Sequence, residues 1–336
     1  MSGRNELQEK TLNRVQEIVS EMPEYALRWY ETLMASDESP ETIYDYINKL
    51  KKLLRFINKN DINILPEEIT EDKVVSFFIK LRTKVIDEKK VKTSDSYQIS
   101  YWHCLNNFFE FMSERGYITK NYMTTIKKPK NRDLTRINRE RVQITKEDLN
   151  AILKAVDAGV GSDKAKAFQQ QTKDRDKLIL LLFMTTGMRK TALSEIDIDD
   201  IDFDYNELIL VDKGEKEHTY KLNDTVMNVL NAWMEKRSEF CDDSQRALFV
   251  SLQGTRMTGT AITKVTKKYS DAAIDCELSP HKFRSAFCSI LYNETGDIEF
   301  VRRAVGHSNV ATTQRYVVTK SREKERASEI MGSILV

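Results

Sequence analysis

Helical start signals, each followed by apolar residues at helical spacing and seldom interrupted by glycine or proline, narrow most what this chain can fold into. Only 11 Gly and 5 Pro occur in 336 residues. In Ser39-Pro40-Glu41-Thr42, Ser39 is placed to cap a helix, and Pro40 falls in the first turn, where its missing N–H has no intrahelical partner to lose. Ile43, Ile47, Leu50, Leu54 and Ile57 then recur on one face. A second helix is predicted after Thr70, with Val74, Phe77, Phe78 and Leu81 facing inward. A third runs from about Ser96 to Arg115 through Tyr101, Leu105, Phe108 and Met112, and Gly116 supplies the stop. From about residue 8 to 125 the pattern therefore predicts an all-helical bundle.

The length exceeds what one ordinary core fills, so two domains are expected. Their predicted bounds are a helical N-terminal domain over 1–126, a basic linker over 127–143 and a second domain over 144–336. Thr145-Lys-Glu-Asp148 opens the second domain as a helix start. An early apolar run, Leu178 to Met184, ends at Thr186-Gly187. Glu207 to Val211 and His218 to Leu222 read as short strands, with a hairpin turn signal at Lys213-Gly214-Glu215-Lys216. Helices resume at about Thr225 and continue to the C-terminus apart from a short strand near Leu248 to Ser251. The fold class expected is mainly α with a small β element, without internal repeats.

Charged residues at 31% and hydrophobic ones at 40% fit a globular protein rather than a disordered one. Cys104, Cys241, Cys276 and Cys288 lie far apart without a Cys-x-x-Cys pair, so neither a disulfide framework nor a zinc site is expected, and a reducing cytoplasm fits. The polar start MSGRNELQEK lacks the apolar core of a signal peptide, and no run is long enough to span a bilayer. A cytoplasmic protein without metal or cofactor is the expectation. The net charge of +1 hides a local concentration: Lys120 to Arg141 holds eight basic residues against Asp133 and Glu140. Within it Lys127, Lys128, Lys130, Arg132, Arg136, Arg139 and Arg141 are candidates for DNA-phosphate contact, and a solvated linker is the alternative.

The chemistry-bearing residues lie in the second domain: Arg189 after Thr-Thr-Gly-Met, Lys213 in the hairpin, His281-x-x-Arg284, Gly306-His307 and Tyr316. Taken singly, each is more often a surface or packing residue. Together they match phosphoryl transfer. Two guanidinium forks fit the non-bridging oxygens of one phosphate. A tyrosine hydroxyl becomes a nucleophile once a base takes its proton and cations favour the phenolate. A lysine on a hairpin can protonate the leaving oxygen. His281 and Arg284, three apart, share a helix face.

Thr186-Gly-Met-Arg189, the hairpin lysine, His281-Lys-Phe-Arg284, Val305-Gly-His307 and Tyr316 resemble the ordered active-site signature of the tyrosine recombinase (phage integrase) family. The spacings agree as well: 24 residues from Arg189 to Lys213, 23 from Arg284 to His307 and nine from His307 to Tyr316. Met22-Pro-Glu-Tyr25 and Thr42-Ile-Tyr-Asp-Tyr46 are similar to the core-binding domain of Xer recombinases, closest in appearance to the single-recombinase XerS kind.

The resemblance implies a two-domain C-shaped clamp on double-stranded DNA, with a SAM-like helical core-binding domain and a catalytic domain. It implies a site-specific recombinase in which Arg189 and Arg284 bind the scissile phosphate and Tyr316 attacks it to form a 3′-phosphotyrosine. In the same scheme Lys213 protonates the 5′-hydroxyl, His281 is an acid/base and His307 hydrogen-bonds the phosphate. An Xer role in resolving chromosome or plasmid dimers and an integrase role in a mobile element use the same chemistry. A type IB topoisomerase and a catalytically inactive DNA-binding regulator are further alternatives.

Three positions depart from the family pattern: Ala192 replaces an acidic residue, for which Glu195 is a candidate substitute, Ser285 stands where a second histidine is common, and Phe283 replaces leucine. After Tyr316, Ile330, Met331, Ile334 and Leu335 form an apolar stripe. The resemblance implies that such a tail inserts into a neighbouring subunit of a homotetramer on two DNA sites, and a helix folded back on its own core is the alternative. Accessory proteins remain open.

Overall fold

The computed structural model describes residues 3–36, 38–86, 88–130, 144–211, 217–307, 309–310, 313, 329 and 331–333. The chain divides into two compact units, residues 3–140 and 141–336, each with its own core.

The first unit contains α1 (Gly3–Val19), α2 (Glu24–Ala35), α3 (Pro40–Ile57), α4 (Glu71–Leu81), a hairpin of β1 (Thr83–Ile86) and β2 (Lys89–Lys92), and α5 (Asp95–Glu114). The start signals at Ser39 and Thr70 cap their helices: the Ser39 hydroxyl accepts from the Thr42 N–H and that of Thr70 from Lys73. The third helix is capped by Ser94, which accepts from Tyr97 two residues before the expected start near Ser96; such caps typically contribute about 1 kcal/mol each. Gly116 follows α5 at φ 74°, the left-handed conformation expected of a helix stop.

The core is rich in aromatic rings: Trp29 packs edge-on to Phe108 at 5.1 Å, and its Nε1 donates to Asn107 Oδ1 at 2.9 Å. The buried Lys49 is compensated by Asp45, by Ser100 and by the ring faces of Tyr46 and Tyr101. Such compensation is needed because an unpaired buried ammonium is strongly disfavoured.

The hairpin corrects the all-helical expectation for this unit. Thr83 pairs with Lys92 and Ile86 with Lys89, and Glu88 turns the chain with a positive φ of 63°. No Gly or Asn-Gly marks that turn, and the strands are short and lysine-rich, so neither of the usual hairpin signals is present.

The second unit contains α6 (Lys146–Ala158), α7 (Asp163–Gln169), α8 (Lys173–Thr186), α9 (Lys190–Glu195), β3 (Ile201–Asp202), β4 (Glu207–Val211), β5 (Glu217–Lys221), α10 (Asp224–Arg237), α11 (Gly259–Ile274), α12 (Pro280–Thr295) and α13 (Ile298–Ala304). Thr145 and Asp148 form a reciprocal capping box on α6, as the start signal predicts. Leu178 through Phe183 are all buried, so α8 beyond its charged first turns is apolar on every side and forms the central post against which α6, α10 and α12 pack.

The three strands form an antiparallel sheet in the order β3-β4-β5, with Leu208 opposite Tyr220 and Leu210 opposite His218. The strand expected near Leu248 to Ser251 is absent, and Val250 makes only an isolated bridge with Arg256. Three carbonyls of this segment are taken by side chains, with Arg237 donating to Ala247, Trp233 to Leu248 and Arg175 to Val250, while that of Phe249 accepts from the Met257 N–H. Satisfied in this way, the segment has no need of a sheet partner.

Among the described residues no helix is long and apolar enough to cross a membrane. In the tail Met331 is exposed at 52%, while Ile330, Ile334 and Leu335 lie outside the described residues.

Candidate active site

The site is built outward from α12. Pro280 opens this helix, so His281 and Arg284 share one face. Between them Phe283 is 1% exposed and stacks on Phe183 at 6.3 Å. The larger ring, in place of leucine, thus serves as the core anchor that fixes the orientation of the other two. His281 is exposed and Arg284 is 3% exposed. Arg284 Nη1 donates to the Gly187 carbonyl at 2.5 Å and Nη2 to the Val305 carbonyl at 2.7 Å. One buried guanidinium therefore joins the turn before Arg189 to the turn before His307. With five N–H donors in a fixed fork, a guanidinium has the capacity to hold two carbonyls and a phosphate together.

Gly187 ends α8 in the left-handed conformation at φ 61°. A methyl group there would lie 2.5 Å from Phe287 Cδ1, so glycine is required by both space and backbone. Arg189, exposed, occupies the N-cap position of α9. The far end of this short helix is held by Arg256, which donates to the carbonyls of Ser194 at 3.3 Å and Ile196 at 3.2 Å and forms a buried ion pair with Asp197. Ala192 and Glu195 are half-buried on α9, and Ser285 is half-buried on α12.

His307 follows α13 after Gly306, whose φ is 66°. Its N–H donates to the Arg302 carbonyl at 3.0 Å, and its carbonyl accepts from Arg302 Nη1 at 2.5 Å. The imidazole is buried, with Nδ1 2.9 Å from Thr313 Oγ1. Burial, followed by the positive charges of Arg284, Arg189, Arg302 and His281, pushes its pKa down from 6.5 to about 4. Those electrostatic neighbours include the other three described candidates, so Arg189, His281, Arg284 and His307 come together in one cationic locality.

Lys213 and Tyr316 lie outside the described residues. The strands on either side of residues 212–216 are described, and they bring in a residue that the sequence alone does not single out. A methyl group placed on Gly306 would overlap Cε1 and Nε2 of His218 on β5, so the imidazole of His218 sits directly against the turn that carries His307. Only a contact distant in sequence reveals this role.

Among the DNA-contact candidates, Lys127, Lys128 and Lys130 are exposed, while Arg132, Arg136, Arg139 and Arg141 lie outside the described residues. Trp102 Nε1 donates to the Ile126 carbonyl at 2.6 Å, and Lys128 sits 6.0 Å from the Trp102 ring centroid. Lys127 and Lys130 join Arg82 and Lys92 around a pocket of about 310 Å³. A larger groove of about 880 Å³ is lined by Lys52, Arg55, Lys59, Lys80, Lys84 and Lys92 over a floor that includes Phe56 and Phe77, and no carboxylate lines it. These cations come from α3, the segment that follows it, α4 and the hairpin, so no single stretch of sequence displays them as a run. Among the described residues no group of three or more His, Cys, Asp or Glu is placed to hold a metal ion.

The model of the phage integrase family matches residues 142–323. Tyrosine recombinase XerC of Vibrio vulnificus is 28% identical over 220 residues, which cover 63% of this chain and 62% of that protein, so the match spans less than two thirds of its length. Tyrosine recombinase XerC of Psychromonas ingrahamii is 24% identical over 280 residues, covering 83% and 85%. Among solved structures, the XerH site-specific recombinase bound to its difH substrate matches with a TM-score of 0.63 at 18% identity, covering 87% of this chain and 80% of that one. A lambda integrase dimer bound to a COC′ core site matches with a TM-score of 0.59 at 16% identity, covering 87% and 93%. The fold is thus shared with these recombinases, and with its family model matched over more than half of its length the chain belongs to the phage integrase (tyrosine recombinase) family.

Proposed function

We propose that this chain is a metal-independent, site-specific DNA recombinase. The observation that carries the reading is the buried guanidinium of Arg284, which bonds the carbonyls of Gly187 and Val305 and so joins the turn before Arg189 to the turn before His307, with the charges of Arg284, Arg189 and Arg302 acting on the buried His307 ring. Such a locality suits an anion whose charge grows in the transition state.

In the proposed reaction Arg189 and Arg284 hold the scissile phosphate. The Tyr316 oxygen forms a bond to phosphorus as the bond to the 5′-oxygen breaks, giving a 3′-phosphotyrosine. The proton of Tyr316 passes towards His281, and the Lys213 ammonium delivers a proton to the departing 5′-oxygen. Religation on a second DNA end reverses these transfers.

His307 acts as a neutral hydrogen-bond donor. In this scheme the Thr313 hydroxyl, 2.9 Å from Nδ1, is the donor of that contact, which leaves the single imidazole proton on Nε2 for the phosphate. The basic candidates from Lys127 to Arg141, together with the cationic groove of the first unit, serve double-stranded DNA phosphates. The predicted division into a DNA-binding domain over 1–126, a linker over 127–143 and a catalytic domain over 144–336 belongs to the same proposal, as do a cytoplasmic location and a homotetramer on two sites exchanging C-terminal tails.

An Xer role is favoured by relatives of that kind that match over more than four fifths of both chains. An integrase of a mobile element is the second reading, supported by the family model itself. Sequencing the DNA fragments linked to the enzyme after denaturation tests the proposal. One recurrent core sequence is expected, paired with a like site for an Xer role and with an unlike site for an integrase. Random fragments would point to a topoisomerase and overturn site specificity.

A further inference from the structure

The contact between His218 and Gly306 links two parts of the site that are 88 residues apart in sequence. His218 is the second residue of β5 and pairs with Leu210, one step inside the Val211–Glu217 pair that closes the described ladder. Lys213 lies five positions before His218 in sequence, outside the described residues. On the other side of the contact Gly306 immediately precedes His307, and its positive φ aims the chain from α13 towards the buried imidazole. The His218 ring is backed by Tyr220, near-parallel at 27° with centroids 6.1 Å apart. At Gly306 it occupies the space that any side chain would need, and that position also lies 3.2 Å from His218 Nδ1. The sheet is thereby registered against the phosphate-binding turn by a ring seated on a bare glycine.

We propose that His218 is a positioning residue: seated on Gly306, it fixes the β4-β5 hairpin relative to the His307 turn and so sets where the hairpin's general acid meets the leaving oxygen. The inference rests on the proposed reading of Lys213 as that acid. His218 itself exchanges no proton with DNA in this scheme. Two antiparallel strands transmit a shift of one residue to the turn they bear, and acid catalysis is sensitive to displacements of that size.

The test is single-turnover cleavage of a nicked duplex bearing either the ordinary 5′-oxygen or a 5′-bridging sulfur at the scissile phosphate. A thiolate departs without a proton, so a defect confined to proton delivery disappears on the sulfur substrate. His218→Ala is expected to slow cleavage of the oxygen substrate by roughly ten- to a hundredfold, a part of what general acid catalysis supplies. On the sulfur substrate it should come within about threefold of wild type, with DNA affinity unchanged.

Gly306→Ala displaces the ring and also strains the left-handed backbone beside His307, so sulfur should restore only the part of its defect that His218→Ala shares. The double variant should be no slower than Gly306→Ala alone, since residues in contact are non-additive. His218→Phe, which keeps the ring, and thermal melts of each variant separate misfolding from mispositioning.

Unaltered oxygen-substrate cleavage by His218→Ala, or an equal defect on both substrates, overturns the inference. Lys213→Ala is the reference: without rescue there, the acid on which the inference rests is elsewhere. A wild type that forms no adduct on either substrate removes the recombinase reading itself.

Discussion

The guanidinium of Arg284 is hydrogen-bonded to the carbonyl of Gly187, 97 residues earlier in the chain. The second bond of Arg284, to Val305, makes this buried side chain a structural tie as well as a candidate phosphate ligand. Arg189, its proposed partner on the phosphate, is exposed. The two arginines should therefore fail differently when replaced.

Arg284→Ala leaves two backbone carbonyls without their donor at a buried position, at a cost of about 1–3 kcal/mol each. A clear fall in melting temperature should accompany loss of cleavage. Arg189→Ala, at an exposed position, should lose less stability than Arg284→Ala while cleaving roughly a hundred- to a thousandfold more slowly. Thermal melts beside single-turnover cleavage make the comparison. Equal loss of stability in both variants would contradict the assignment of a tie to Arg284 alone.

The depressed pKa of His307, about 4 against 6.5 for an ordinary imidazole, has two consequences. Between those values the unfolded state binds the proton and the folded state does not. Stability therefore falls as pH is lowered from 6.5 towards 4, and His307→Gln should flatten that slope in urea titrations. A bound phosphate adds negative charge beside the imidazole and opposes the surrounding cations, so the pKa should rise when DNA binds. NMR titration of the ring proton with and without duplex DNA reads the shift directly, and a pKa unmoved by DNA would place the phosphate away from His307.

Replacing Lys59, Lys80 and Lys84 together with Ala removes half of the cations that line the groove of the first unit. If these face phosphates, affinity should drop for every DNA sequence, and the slope of log K against log salt should decrease by up to about 0.9 per lost contact. The same measurement on Lys127, Lys128 and Lys130 assesses the start of the basic segment. An unaltered slope would return that group of residues to solvent.

Asp197 and Arg256 form a buried pair beneath α9, the helix that begins at Arg189. Asp197→Ala removes the ion-pair partner of a buried guanidinium that keeps its bonds to the Ser194 and Ile196 carbonyls, and breaking such a pair costs up to about 3–5 kcal/mol. Urea denaturation should show that loss. A variant as stable as wild type would mean that α9 is held by other contacts.

Where the physics is local, the sequence is explicit. The caps at Ser39, Thr70 and Thr145 form as read, and α8 ends at Gly187 because glycine alone combines the left-handed backbone with the closeness of Phe287. The β4-β5 pairing falls within one residue of the expected strands. The β1-β2 hairpin was not legible, since its turn uses Glu88 where Gly or Asn is usual. The expected strand near Val250 gave way because arginine and tryptophan side chains take its carbonyls.

The candidate site residues and their order are visible in the sequence, but the ties that unite the described ones are not. Nothing near Arg284 in sequence announces Gly187 and Val305 as its partners, and nothing near Gly306 announces His218. The cationic groove was hidden for the same reason, because its lysines and arginine are contributed by separate elements.

The account depends most on Tyr316 being the residue that becomes bonded to DNA. Incubating wild type and Tyr316→Phe with a nicked duplex, then resolving them on a denaturing gel, measures this directly. Wild type should yield a protein–DNA adduct, while the phenylalanine variant, binding the same duplex with unaltered affinity, should yield none. An adduct that persists in Tyr316→Phe, or its absence from wild type, would contradict the proposed chemistry.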